Sequence, residues 1–145
     1  MIIPTHMIIA LRELGVTEYA GPADNPRIAE YLKVVRMPGE DEIPWCAGYT
    51  AWVLDKDGYI FPYKPDARSF LTFGMETEQP VFGDLVVLKR GTKSWQGHVG
   101  FYLDQSNTYI EMLSGNHLNR VAISPYKKSD LLGYRMVSAE RKVIT

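Results

Sequence analysis

The sequence contains few of the residues that cross-link small proteins or bind metals. Among its 145 residues it has one cysteine, Cys46, and three histidines, His6, His98 and His117. A single cysteine excludes an intramolecular disulfide, so folding does not require an oxidising compartment. Because these four residues lie far apart in the chain and lack the spacing of zinc ligands, we predict no metal site.

Strong net charge and long apolar runs are also lacking. The formal net charge is −1 and there is no arginine-rich run, so we predict that the protein does not bind nucleic acid. Arg12 and Glu13 interrupt the apolar opening, "MIIPTHMIIALRELGV", before it is long enough to cross a bilayer. The opening also lacks the basic start and the cleavage site of a signal peptide. We therefore expect synthesis in a cytoplasm, without a signal peptide and without membrane insertion.

The chain is 46% hydrophobic and 23% charged, which is ordinary for a globular protein and predicts one domain over residues 1–145. Helical patterns occupy about residues 1–75: Thr5–Leu14, a helix capped by Asn25, Pro44–Leu54 and Asp66–Phe73. About residues 80–138 hold the short strand patterns "DLVVLKR", "HVGFYL", "TYIEML", "NRVAIS" and "LLGYRMV". The predicted fold class is α+β, with N-terminal helices packed on an antiparallel sheet of about five or six strands.

Cys46 falls in the first turn of the third predicted helix, within "DEIPWCAGYTAWVL". A buried free cysteine is usually a small apolar filler. At a helix N-terminus, however, free backbone N–H groups and the helix dipole favour the thiolate. We therefore expect a thiol pKa below the roughly 8.5 of free cysteine, provided that a base lies nearby.

His98 begins a predicted strand, in "SWQGHVGFYL", and is the candidate for that base. A lone histidine at a strand end is more often structural than catalytic. Together, however, a thiol on a helix N-terminus and an imidazole on a sheet form the pair that thiol hydrolases need, because the imidazole accepts the thiol proton.

Four segments follow one another along the chain: "WCAGYTAWVL", "FGDLVVLKRG", "WQGHVGFYL" and "MLSGNHLN". In these segments and in their order, the sequence resembles the CHAP-type and NlpC-like cysteine peptidoglycan hydrolases of the papain-like superfamily. The segment "GPADNPRIAEYL" resembles the lead-in of a subgroup from phage and prophage lysis proteins. This resemblance implies a papain-like fold. It also implies Cys46 as the nucleophile, His98 as the general base and Asn116 as the residue that orients the imidazole.

The sequence departs from that pattern at two places. Some CHAP enzymes have a glutamate two residues before the asparagine, and Ser114 stands there in this chain. The acidic calcium-binding loop of some relatives is absent before Cys46, so no metal and no other cofactor is predicted. Around the nucleophile, Glu42, Trp45 and Tyr19 are candidate substrate-binding residues.

A second argument assigns the orienting role to Glu111. If "DQSN" is the turn of a simple hairpin, Gly100 pairs with Glu111, which then lies one diagonal step from His98 on the same face. We favour Asn116, because a change of one residue in the turn register moves Glu111 to the other face. Both assignments stay open at this stage.

The resemblance implies a monomeric hydrolase whose partner is bacterial peptidoglycan. It would be an N-acetylmuramoyl-L-alanine amidase or a peptide endopeptidase, most simply a phage endolysin that acts at the cell wall or periplasm after release from the host cytoplasm. Two alternatives are an interbacterial amidase toxin and a non-catalytic wall-binding or virion structural protein. The complete set of Cys46, His98 and Asn116 argues against a protein that only binds.

Overall fold

Helices precede strands along the chain in the computed structural model, which describes residues 3–20, 24–36 and 45–137. The helices are α1 (Thr5–Leu11), α2 (Pro26–Val34), α3 (Cys46–Lys56) and a 3₁₀ helix at Ala67–Thr72. The strands are β1 (Met75–Thr77), β2 (Leu85–Lys89), β3 (Gly97–Gln105), β4 (Tyr109–His117), β5 (Arg120–Lys127) and β6 (Leu131–Met136). The predicted α+β class is confirmed. None of the helices in the described ranges is long and apolar enough to cross a membrane.

The six strands form one antiparallel sheet in the order β1-β6-β2-β3-β4-β5. The five strands with clear sequence patterns are all present. The additional strand, β1, has three residues, which is too short for a pattern of alternating burial to be visible in the sequence. In this order β3 lies between β2 and β4, so His98 has a neighbouring strand on each side.

Helix α3 is the central helix of the core. Nine of its eleven residues are buried, from Cys46 to Leu54, and it packs against α2, β3 and β4. A helix that is apolar on all sides must be enclosed on all sides, which explains why its sequence shows little amphipathic periodicity. Trp52 is buried in this core, as its helical position predicts.

Helix α1 is shorter than the predicted Thr5–Leu14, and its predicted apolar face is only partly correct. It ends at Leu11, and the chain continues through turns to Gly15, whose φ is +91°. Hydrophobic periodicity predicts an apolar face of Ile8, Ile9 and Leu11. Ile9 and Leu11 pack against the core, but Ile8 is exposed, and the buried residues of α1 are His6, Met7 and Ala10. His6 is buried because its Nε2 forms a 2.8 Å hydrogen bond with the Gly83 carbonyl.

Helix α2 begins as the sequence predicts. The Asn25 side chain accepts a 2.9 Å hydrogen bond from the Arg27 backbone N–H, and Pro26 occupies the first helical position. Helix α2 then packs closely against α3 at Gly48. A Cβ atom at Gly48 would lie 2.8 Å from the Tyr31 carbonyl oxygen, so the two helices approach each other through backbone atoms.

We expect Gly48→Ala to destabilise the protein by about 1–3 kcal/mol, because an added methyl group forces α2 and α3 apart. Helix propensity alone predicts the opposite, a gain of about 1 kcal/mol. Urea unfolding of Gly48→Ala and of Lys33→Ala, a control on the exposed side of α2, would separate the two effects. Equal or higher stability of Gly48→Ala would show that the helices can separate without cost.

Candidate active site

Cys46 is the first residue of α3, and its side chain is 5% exposed. Burial raises the pKa of the Cys46 thiol above its ordinary value. The backbone amide of Val99, the Arg90 guanidinium and the helical amides of Ala47 and Cys46 itself act in the opposite direction and lower the pKa. The expectation of a lowered thiol pKa, based on the helix position, is therefore wrong. Desolvation of the thiolate outweighs the groups that stabilise it.

His98 is the second residue of β3, and only 1% of its surface is exposed. It is adjacent in the chain to Val99, whose amide acts on the thiol, so α3 and β3 bring Cys46 and His98 into one site. Burial, then the charge of Arg90, then His117 lower the pKa of His98 to about 3. The imidazole is consequently neutral at physiological pH.

The hydrogen bonds of His98 determine its tautomer. A guanidinium nitrogen of Arg90 lies 3.0 Å from Nδ1. Because a guanidinium has only donors, Nδ1 must accept, and the ring proton is on Nε2. The Nε2–H has two acceptors within reach, the Ser114 hydroxyl at 2.8 Å and the Tyr126 hydroxyl at 3.1 Å. The imidazole therefore has an Nδ1 lone pair, as a base requires.

A hydroxyl network supports this tautomer. The Ser114 and Tyr126 oxygens lie 3.2 Å apart, and the Tyr126 hydroxyl is also 2.8 Å from Nδ1 of His117. The Tyr126 ring stacks on the His98 ring with 5.0 Å between centroids. Ring stacking and hydrogen bonding together restrict rotation of the imidazole.

The predicted hairpin register between β3 and β4 is wrong. Asp104 pairs with Glu111. A bulge between Tyr102 and Asp104 then shifts the register, so that Tyr102 pairs with Met112. Glu111 thus lies opposite Asp104, which is six residues, or about 20 Å of strand, from His98. Glu111 is also exposed. The structure removes Glu111 from the site.

The shifted register places Ser114 beside Gly100. A Cβ atom at Gly100 would lie 2.6 Å from the Ser114 Cβ, so Ser114 is one diagonal step from His98. This is the position that the hairpin argument gave to Glu111. The predicted register was wrong because the hairpin turn lies further along the chain than expected, with Gln105 paired to Ile110, and the bulge then shifts the pairing by one residue.

Asn116 follows the predicted strand pattern "TYIEML" in the sequence, but in the structure it lies within β4, at an irregularity between Ser114 and His117. Its φ is +58°, in the left-handed region, which asparagine adopts more readily than most residues. Among the described residues, the recorded hydrogen-bond partners of His98 are Arg90, Ser114 and Tyr126. The orienting role of Asn116 stays a prediction.

The three candidate substrate-binding residues differ in exposure. Trp45 is fully buried and donates a 2.9 Å hydrogen bond from its indole nitrogen to Glu18, so it lies behind the nucleophile, within the core. Tyr19 is 49% exposed. Glu42 lies outside the described residues. Across the ranges that the structure describes, no group of three or more His, Cys, Asp or Glu side chains is placed to hold a metal ion.

Sequence reasoning missed Arg90 and Tyr126 as parts of the site. Arg90 follows the last residue of β2, and the pairing of Lys89 with Gly97 brings it level with the start of β3. The sequence did offer a signal for Arg90, because it is the last residue of "DLVVLKR", the strand predicted just before the strand of His98. For Tyr126 the sequence offers none, because its contact with His98 is made across β4.

In chemical terms the site joins a thiol, a neutral imidazole whose Nδ1 lone pair accepts a hydrogen bond from Arg90, and backbone donors at a helix N-terminus. No hydrogen bond joins the Cys46 thiol to the His98 imidazole in the described part of the chain. Because burial raises the pKa of Cys46 and lowers that of His98, the resting pair is a neutral thiol and a neutral imidazole, not a preformed ion pair. Such a pair fits acyl transfer in which the thiolate forms as substrate is attacked.

The comparisons with known proteins give one family. The family model described as NlpC/P60 family matches residues 39–137, more than half of the chain, and the match includes Cys46, His98 and Asn116. A search of curated proteins finds no match.

We expect the free energy of unfolding to fall as the pH is lowered from about 6.5 to about 3. In this interval the unfolded chain protonates His98 while the folded state keeps it neutral, so stability increases with pH there and the contribution is constant above it. The slope is at most about 1.4 kcal/mol per pH unit for one proton. Urea unfolding of wild type and His98→Gln at several pH values would measure it as a difference. Equal slopes for the two proteins would contradict a buried neutral His98.

Proposed function

Because the chain belongs to the NlpC/P60 family, a family of cysteine peptidases that act on peptidoglycan, we propose that it hydrolyses an amide bond of the bacterial cell wall with Cys46 as nucleophile. The observation that carries the proposal is the tautomer of His98. Arg90 fixes a lone pair on Nδ1 while Ser114 and Tyr126 hold the opposite ring nitrogen. The nitrogen left without a proton, Nδ1, is the one that can accept the proton of the Cys46 thiol.

The reaction begins with proton transfer from the Cys46 thiol to the His98 imidazole. The thiolate attacks the amide carbonyl carbon, and the carbonyl oxygen takes up negative charge. As the tetrahedral intermediate collapses, the imidazolium returns the proton to the leaving amine and an acyl-thioester remains on Cys46. Water then attacks the thioester with His98 again as the base, which restores the thiol.

The first turn of α3 supplies donors for the developing oxyanion. The N–H groups of Cys46, Ala47 and Gly48 precede Tyr49, whose N–H is the first to bond within the helix, to the Trp45 carbonyl at 2.9 Å. The Cys46 N–H belongs to the residue that carries the reacting sulfur, and it can stabilise the oxyanion as the charge develops. The dipole of α3 acts in the same direction.

The bond cleaved is either the N-acetylmuramoyl-L-alanine amide or an amide within the stem peptide or cross-bridge. We further propose an endolysin role, in which a monomeric enzyme is released from the host cytoplasm and degrades the wall from within. The resemblance of "GPADNPRIAEYL" to the lead-in of phage lysis proteins supports this role. Mass spectrometry of released fragments distinguishes the bonds, because an amidase frees intact stem peptides from glycan and an endopeptidase leaves peptide stubs.

Wild-type protein is expected to clear purified, outer-membrane-stripped cell walls, and Cys46→Ala and His98→Ala to lose this activity to a similar extent. The double variant should lose little more, because residues of one catalytic unit are strongly non-additive. Thiol alkylation should inactivate the wild type, whereas chelators should not. Clearing by folded Cys46→Ala, with intact tryptophan fluorescence, would exclude a cysteine hydrolase.

The residue that orients His98 is tested by comparing three variants. Hydrogen-bond contacts favour the hydroxyls, so we expect Ser114→Ala and Tyr126→Phe to lower kcat at least ~10-fold with little change in KM. The pH dependence of Cys46 alkylation should shift in both, which a loss of stability alone would not cause. If Asn116→Ala instead gives the largest loss of kcat, the orienting role belongs to the residue that the resemblance assigns.

A further inference from the structure

Arg90 is the cation of the candidate site. Arg90 follows β2 directly and is exposed overall. Its guanidinium points inward, and one of its nitrogens lies 3.0 Å from Nδ1 of the buried His98. The loop that carries it is anchored to the sheet. The Arg90 backbone N–H bonds to the Gln96 carbonyl at 3.4 Å, and the same carbonyl accepts a 2.7 Å bond from the Arg68 side chain.

The charge of Arg90 acts on the whole site. Burial is the largest influence on the pKa of His98, His117, Cys46 and Tyr126, and the Arg90 charge also acts on all four, by opposing protonation of the two histidines and by favouring the anions of Cys46 and Tyr126. One side chain thus makes the region around the nucleophile electropositive. An anionic group that approaches Cys46 would be stabilised by the same charge.

Arg90 forms no ion pair with a described residue. The ion pairs in the described ranges join Arg27 to Glu13 and to Glu30. The recorded side-chain contact of Arg90 is the one with His98, a neutral nitrogen acceptor. A guanidinium has five N–H donors and matches a carboxylate in a two-point geometry, so most of its donors are not used by the residues that the structure describes.

We infer that Arg90 binds a carboxylate of the substrate peptide next to the scissile amide. This inference rests on the proposed function and specifies its substrate: a peptide amide with a free carboxylate in the adjoining residue. The alternative ligand of an exposed arginine, a phosphate, would need further donors around the anion. Within the described residues, the side chains on which its charge acts are those of His98, His117, Cys46 and Tyr126, and none of them is a lysine or an arginine.

Carboxylate binding would also release the base. In the structure the Arg90 N–H group occupies the Nδ1 lone pair that must accept the Cys46 proton. A carboxylate is a stronger acceptor than a neutral imidazole nitrogen, so the guanidinium should turn toward the substrate and leave Nδ1 free. Pairing would also neutralise the charge that opposes imidazolium formation. Substrate binding and activation of His98 would then be one event.

The first test needs no cell-wall activity. The rate of Cys46 alkylation is measured with iodoacetate, which has a carboxylate, and with iodoacetamide, which is neutral and of similar size. We expect the ratio of the two rates to fall roughly fivefold in Arg90→Gln. It should not change in Lys93→Gln, which removes the same charge from the same loop. An unchanged ratio in Arg90→Gln would overturn the anion site.

The second test uses two forms of one stem-peptide substrate, with the adjoining carboxylate either free or converted to the amide. Wild type and Lys93→Gln should prefer the free acid at least about tenfold in kcat/KM, and Arg90→Gln should lose this preference. Equal use of both forms by wild type would overturn the assignment of the substrate. If the alkylation ratio falls as expected but wild type cleaves neither form nor intact walls, the anion site stands and the proposed function fails.

Discussion

The close packing of the first turn of α3 on β4 is the contact on which the site depends. Gly115 makes it possible, because a Cβ atom there would lie 2.7 Å from the Tyr49 Cβ and 2.8 Å from the Trp45 ring. Trp45 precedes the nucleophile and Tyr49 lies one turn after it. With α3 in this position, Cys46 meets the backbone of β3, and β4 presents Ser114 to His98. A side chain at Gly115 would displace the nucleophile from its base.

This packing buries both reacting groups, and burial determines their resting state. Desolvation raises the pKa of Cys46 and lowers that of His98, so each is neutral before substrate arrives. The thiol and the imidazole are thus both neutral at rest and become charged only during the reaction. The charge of Arg90 stabilises the Cys46 thiolate and opposes the His98 imidazolium. Any group that pairs with the guanidinium would therefore change the protonation of both residues.

Much of this arrangement could be predicted from local sequence. The cap at Asn25, the helix that starts at Cys46 and the five longer strands follow from residue patterns over short stretches, where propensity and capping act between near neighbours. Cys46 and His98 could be selected as a pair because each lies at the end of an element. The α+β class followed from the order of those elements.

What the sequence by itself determined was which residues form each element and which side chains can react. The tertiary structure alone decided which of them meet. The position of the hairpin turn paired Glu111 with Asp104, away from the site, and the bulge between Tyr102 and Asp104 set the register that brings Ser114 to the imidazole. Tyr126 reached His98 from β5, and Arg90 reached it from the end of β2. Strand register and the thiol pKa depend on packing between segments distant in sequence, because burial is a property of the assembled core and not of any short stretch of the chain.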